Sequence, residues 1–332
     1  MATDYLLFIH GVNTRKDDTQ PSYADELFKL IKQHMQPSAR TLVPLIVYWG
    51  EVSDQQETAL LQAYKASSIW DKLWFRQFRE TQMVRFAGDA SLYLSRSVGG
   101  KVADIVAKEI ATVKNASADD RLHLVTHSLG TVILFDLLFS ARWDQTGIDG
   151  YDSVMAIRDA VYGVKGTSSN PKRGIRLGSI FTMGSPLGIF SLMDVNQQAE
   201  DAKNAQGEVI STHDITPRLE QLLDNLHQEL KGNKLPWRNF AHPGDPIACP
   251  LEVLIPNMVD GRKAYLDIHD VLIPATVTEI IAEPFQEALL DLVAEPFNQT
   301  ALTLVNGGSA HLSYLQSKRV AEIIAQVIAS SS

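Results

Sequence analysis

The sequence predicts an α/β fold: a mostly parallel sheet of about six strands, with helices on both faces. Three observations predict it. Short apolar runs alternate with longer stretches of helical periodicity, almost from the first residue. The short runs are apolar without a break, as strands covered on both faces are. The composition, 332 residues with 45% hydrophobic and 21% charged side chains, is that of a folded chain able to bury a sizeable core.

Taken in order, Tyr5 to Ile9 is a continuous apolar run, too short for a helix and suited to a buried strand. Residues 21–36 carry Tyr23, Leu27, Leu30, Ile31 and Met35 at helical spacing. Pro21 fits the first turn, Ser22 is followed three residues on by Asp25, and Pro37 stops the helix. Leu42 to Trp49 reads as a second strand. Val102, Ile105, Val106, Ile110 and Val113 form a helical stripe, and Leu122 to Thr126 a third strand. Leu129 to Phe139 is apolar nearly all round, which predicts a helix buried against the sheet. Ile175 to Met183 and Trp237 to Ala241 read as strands. Val320, Ile323, Ile324, Val327 and Ile328 mark a closing helix, after which Ser330 to Ser332 should fray.

We read residues 1–332 as one domain. Three stretches interrupt the alternation and are expected to be insertions: 51–98 as a cap or lid, and 142–174 and 187–235 as surface insertions. The first holds Ile69, Trp70, Leu73, Trp74, Phe75 and Phe78 with Arg76, Arg79 and Arg85 between them. It could cap an apolar pocket, pack plainly on the sheet, or touch a membrane surface as a peripheral helix.

With 30 basic against 39 acidic side chains the net charge is −9, which argues against a nucleic-acid partner. The lone cysteine, Cys249, excludes an internal disulfide framework and a cysteine-rich metal site. The first residues lack the pattern of a secretory signal, and no apolar run reaches the roughly 20 residues that span a bilayer. A cytoplasmic location is therefore expected.

The segment richest in chemistry is Leu124-Val125-Thr126-His127-Ser128-Leu129-Gly130-Thr131. A serine at a strand-to-helix turn is pushed out of the sheet's carboxyl edge, towards the positive end of the following helix. Gly130 supplies the small residue that such a close approach needs. Thr126 stands where the usual pattern has glycine, and a buried structural serine is the rival reading. The first strand ends in His10-Gly11-Val12-Asn13, a sharp turn at the same edge. Acyl transfer requires two N–H donors for the developing oxyanion; Leu129, after the serine, and Val12, in the neighbouring turn, are the candidates. His127 is expected to point away from the serine.

These features resemble the α/β-hydrolase superfamily, and within it the lipase and esterase branch. His10-Gly11, Thr126-His127-Ser128-Leu129-Gly130 and Thr182-Met183-Gly184-Ser185-Pro186-Leu187 carry the resemblance. It covers roughly residues 5–50, 100–141, 175–190 and 235–330. The family order of nucleophile, acid and histidine implies partners after Ser128. His311, on a Gly307-Gly308 loop before the last helix, is the implied base. Asp245, between Gly244 and Pro246 after a strand, is the implied acid, with Asp194, Asp260 and Asp267 as alternatives.

The resemblance thus implies a serine hydrolase of carboxylic esters with the triad Ser128, Asp245 and His311, working through an acyl-enzyme without cofactor or metal. A small-molecule or lipid-like ester is the implied substrate. A thioesterase or acyltransferase with the same triad, and a non-catalytic binding protein on the same fold, are the rivals.

Overall fold

The protein is described by a computed structural model over residues 2–12, 14–35, 40–72, 84, 89, 93, 96–113, 116–117, 119–144, 146–162, 174–190, 217–274 and 310–331. The strands β1 (Thr3–Ile9), β2 (Thr41–Val47), β3 (Arg121–His127), β4 (Arg176–Met183), β5 (Leu235–Ala241) and β6 (Leu266–Leu272) form one sheet in the order β2-β1-β3-β4-β5-β6. Every pairing is parallel. Parallel neighbours need crossover connections, and the helices provide them.

Alternation along β1 sets up the two layers. Leu6 and Phe8 face one side and Leu7 and Ile9 the other, and all four are buried. The first side is covered by α1 (Asp25–His34) and α9 (Lys318–Ser330), which pack on each other. α9 buries Val320, Ile323, Ile324, Val327 and Ile328, each worth roughly 1.5–3 kcal/mol on burial. Its first turn is capped by Ser317, whose hydroxyl accepts from the Val320 N–H. The second side is covered by α3 (Arg96–Ile110), α4 (Leu129–Phe139), α5 (Tyr151–Tyr162), α7 (Pro217–Glu229) and α8 (Leu254–Val259).

α4 is apolar all round because it is enclosed all round: every residue except Asp136 is buried. The Asp136 carboxylate accepts from Tyr93 Oη, Arg142 Nη2 and Trp143 Nε1 at 2.6, 2.6 and 3.0 Å. At the amino end of the sheet, buried Asp4 on β1 takes both Nε of Arg121 on β3 (2.8 Å) and Nε of Arg40 (2.8 Å). Arg121 also donates through Nη1 to the carbonyl of Ser331, so the end of α9 is tied down where the sequence predicted fraying.

α1 begins at Asp25, and the capping contact read from the sequence forms just ahead of it, Ser22 N donating to the Asp25 carboxylate at 2.8 Å. α5 occupies part of the stretch expected as a surface insertion. Its Val154, Ile157 and Val161 are buried, and Arg158 reaches the carbonyls of Leu137 and Ser140. Within 51–98, α2 (Asp54–Lys65) is an exposed helix that buries only Glu57, and Trp70 is buried beneath Tyr64 at 5.9 Å between rings. Trp74 and Phe78, which the cap reading needs, lie outside the described residues.

Candidate active site

The order of the sheet selects one place for a site. From β1 the chain crosses outward to β2, and it returns to the other side of β1 as β3. Connections leaving two neighbouring strands in opposite directions open a crevice at their carboxyl ends. The loops that follow β1 and β3 are His10-Gly11-Val12 and Ser128.

Ser128 joins β3 to α4 with φ 54° and ψ −129°, in the positive-φ region that a non-glycine residue enters only at a cost of order 1–3 kcal/mol. The turn is braced on both sides. Ser128 N donates to Met183 O at 2.9 Å, and the Thr131 hydroxyl donates to Ser128 O at 2.8 Å. Gly130 is required by proximity, since a Cβ there would stand 2.4 Å from Ile9 O. Thr126 is accommodated because it is still in β3, where its hydroxyl donates to Phe181 O. Ser128 Oγ is buried and has no hydrogen-bond partner among the described residues. Leu129 opens α4, so its N–H has no carbonyl one turn back to bond.

The loop after β1 is held by an interlock of His10 and Trp49. Trp49 N donates to His10 Nε2 at 3.1 Å, and Trp49 Nε1 donates to His10 O at 2.8 Å, with the rings stacked at 5.2 Å. Accepting at Nε2 leaves His10 protonated at Nδ1, which donates to Gly11 O at 2.5 Å. Burial pushes His10 down to about 4, so this neutral form holds at neutral pH. Gly11 packs on the serine so closely that a Cβ would fall 2.4 Å from Ser128 Cβ and 2.9 Å from its Oγ. Val12 follows at once, half-buried.

Asp245 and His311 come together across 66 residues of sequence. His311 Nδ1 lies 2.9 Å from Asp245 Oδ2. The same oxygen accepts from Tyr314 Oη at 2.8 Å, and Tyr314 Oη in turn accepts from His242 N at 2.8 Å. Asp245 Oδ1 accepts from Ile247 N at 3.0 Å. Burial alone would raise the Asp245 carboxyl, but the bonds from His311, Ile247 and Tyr314 prevail and hold it below the ordinary carboxylate range. His311 is buried, in a helical turn at residues 310–313, and its Nε2 has no hydrogen-bond partner among the described residues.

His127 does not stand apart from this group. Its Nε2 lies 2.6 Å from the His311 carbonyl oxygen and its ring 4.6 Å from the His311 ring. Burial pushes His127 down to about 3. Neither this contact nor Tyr314 was read from the sequence. Tyr314 carried a signal, standing three residues after His311, as neighbours on one helical face do.

The alternative acids are elsewhere engaged. Asp260 accepts from the N–H groups of Ala264, Tyr265 and Leu266, fixing the turn into β6. Asp267 pairs with Arg238 and His269, and Asp194 lies outside the described residues. Beside the β1 loop, Arg15 gathers Asp54, Glu57 and Asp89 at 2.5, 3.0 and 3.4 Å. Burial and the nearby Asp89 raise Glu57 to about 7. Among the described residues, no three His, Cys, Asp or Glu side chains converge as metal ligands do, and no helix is long and apolar enough to cross a membrane.

No family model matches the chain, and no curated protein matches it. Among solved structures it is similar to the RedJ thioesterase of the prodiginine biosynthetic pathway in Streptomyces coelicolor, at 13% identity and a TM-score of 0.24, over 82% of this chain and 76% of that one. A likeness of that size carries no weight for function, which rests on the site itself.

Proposed function

We propose that the chain is a serine hydrolase of the α/β-hydrolase superfamily, on its lipase and esterase branch, cleaving carboxylic esters. One observation carries the reading. Among the described residues, His311 has one ring nitrogen committed to a carboxylate and the other buried without a partner, and a buried, unpartnered serine hydroxyl occupies the strained elbow next to His127. Buried polar atoms left unsatisfied are costly, and function is a standing reason to retain them.

In this reading Asp245 holds His311 as the Nδ1–H tautomer, so that Nε2 is free to take the Ser128 proton. Ser128 Oγ attacks the ester carbonyl, and the oxyanion rests on the N–H groups of Leu129 and Val12. His311 returns the proton to the leaving alcohol. Water then repeats the sequence on the acyl-enzyme and releases the acid. All the chemistry lies within the side chains and amides of this protein.

A fluorophosphonate probe tests this directly. It should label the wild type on Ser128, and Ser128→Ala should abolish labelling together with hydrolysis of p-nitrophenyl esters. Undiminished labelling of Ser128→Ala would overturn the reading, as would failure to label the wild type. A parallel panel of p-nitrophenyl esters and acyl thioesters would identify the preferred leaving group.

A further inference from the structure

We infer that His127 is a positioning residue that holds the catalytic base in register with the nucleophile, an assignment that rests on the triad reading above. Three observations carry it. First, the His127 Nε2 to His311 O distance of 2.6 Å makes one hydrogen bond between segments 184 residues apart. A carbonyl can only accept, so His127 carries its proton on Nε2 and donates. Second, the His127 and His311 rings lie 4.6 Å apart at 41°, so the His127 ring also limits how far the His311 ring can tilt. Third, His127 immediately precedes Ser128, and Ser128 N is fixed to Met183 O at 2.9 Å.

The consequence is a short mechanical path. The elbow that fixes the serine also fixes, one residue away, the backbone of the histidine that must take its proton. Asp245 orients the His311 ring from the Nδ1 side, and Tyr314, whose ring lies 6.0 Å from that of His127, holds Asp245. His127 governs what these two leave open, namely the position and tilt of the His311 turn relative to the end of β3. Burial keeps it neutral, so it adds no charge beside the base.

The test separates ring from donor. His127→Phe keeps the ring and loses the donor; His127→Gln loses the ring and keeps a donor of similar reach. Inactivation of each variant by a fluorophosphonate probe would be resolved into a binding constant and a maximal rate. We expect His127→Phe to lower the maximal rate by about a hundred-fold, the scale of a 1 Å misplacement, with the binding constant within about two-fold. His127→Gln should recover at least half of that loss on a logarithmic scale. A wild-type rate in His127→Phe would overturn the assignment, as would equal impairment of both variants, or a loss confined to binding. Ser128→Ala and His311→Ala, run alongside, distinguish the failures. If both are inert to the probe while His127→Phe is normal, only His127 is misassigned; if either still reacts, the triad reading itself falls.

Discussion

Tyr314 gives its hydroxyl proton to the oxygen of Asp245 that His311 also uses, so Oδ2 serves two donors, at 2.8 and 2.9 Å, while Oδ1 is held by a backbone N–H. The carboxylate is thereby fixed in plane and position. Tyr314→Phe removes one donor and leaves the His242 N–H without its acceptor. A loss of stability of about 1–3 kcal/mol is expected from urea unfolding. Ester turnover should fall less than in Asp245→Asn, since His311 keeps its partner. An equal fall in the two variants would give the phenol a larger role than holding Asp245.

Asp245→Asn should lower kcat by about 10⁴-fold with the fold intact, because an amide permits the wrong His311 tautomer. Its pH signature has a definite sign. The folded-state carboxyl titrates below the ordinary value near 3.9, so its contribution to stability is complete above that pH and is lost as the pH falls through the depressed value. Urea midpoints between pH 6 and pH 3, as an approximate working range, should therefore decline more steeply in the wild type than in Asp245→Asn. Parallel declines would contradict the depressed carboxyl.

Glu57 gives the opposite sign. Its folded-state value, raised to about 7, lies above the ordinary value near 4.3, so the folded protein holds a proton that the unfolded chain releases. Stability contributed by this group is full in acid and falls as the pH rises through that window. Glu57→Gln should flatten the fall and leave the protein more stable than the wild type at pH 8, relative to the difference at pH 5. Thermal unfolding at the two pH values measures this directly. No change in the difference would mean that Glu57 is ionised throughout.

At the other end of the sheet, Arg121→Met leaves Asp4 buried with less compensation. A loss of about 3–5 kcal/mol is expected in urea unfolding, without a change in the pH profile of turnover. Replacing Asp4 by Asn as well should recover part of it, because the uncompensated charge then disappears. Additive losses in the double variant would show that the two side chains do not act as a pair.

The fold was legible where burial is two-sided. The runs at Tyr5–Ile9 and Leu122–Thr126 are apolar because both faces of those strands are covered, and α4 lacks a polar face for the same reason. β6 was not located from the sequence. As an edge strand it buries Leu266 and Ile268 but leaves His269 and Leu272 exposed, and Asp267 and Asp270 break the apolar run. The Ser128 elbow and the Gly11 turn were readable as local backbone chemistry. The contacts of His127 and Tyr314 were not, because each joins segments that only the sheet order brings together. The same holds for Ser331, whose tether to Arg121 spans 210 residues.

The neighbours of β1 come from distant parts of the chain, and this bears on how the chain is made. β1 is complete by residue 9, and β2 is available by residue 47, but the neighbour on its other side, β3, begins only at residue 121. At translation rates of about 5–20 residues per second, β1 waits on the order of several seconds with one edge unpaired. Leu6 to Ile9, destined for full burial, are an adhesive edge during that interval. Synthesis is therefore the time at which this protein is most vulnerable to aggregation, and nascent chains stalled before residue 121 should bind holding chaperones more strongly than chains stalled after α4 has emerged.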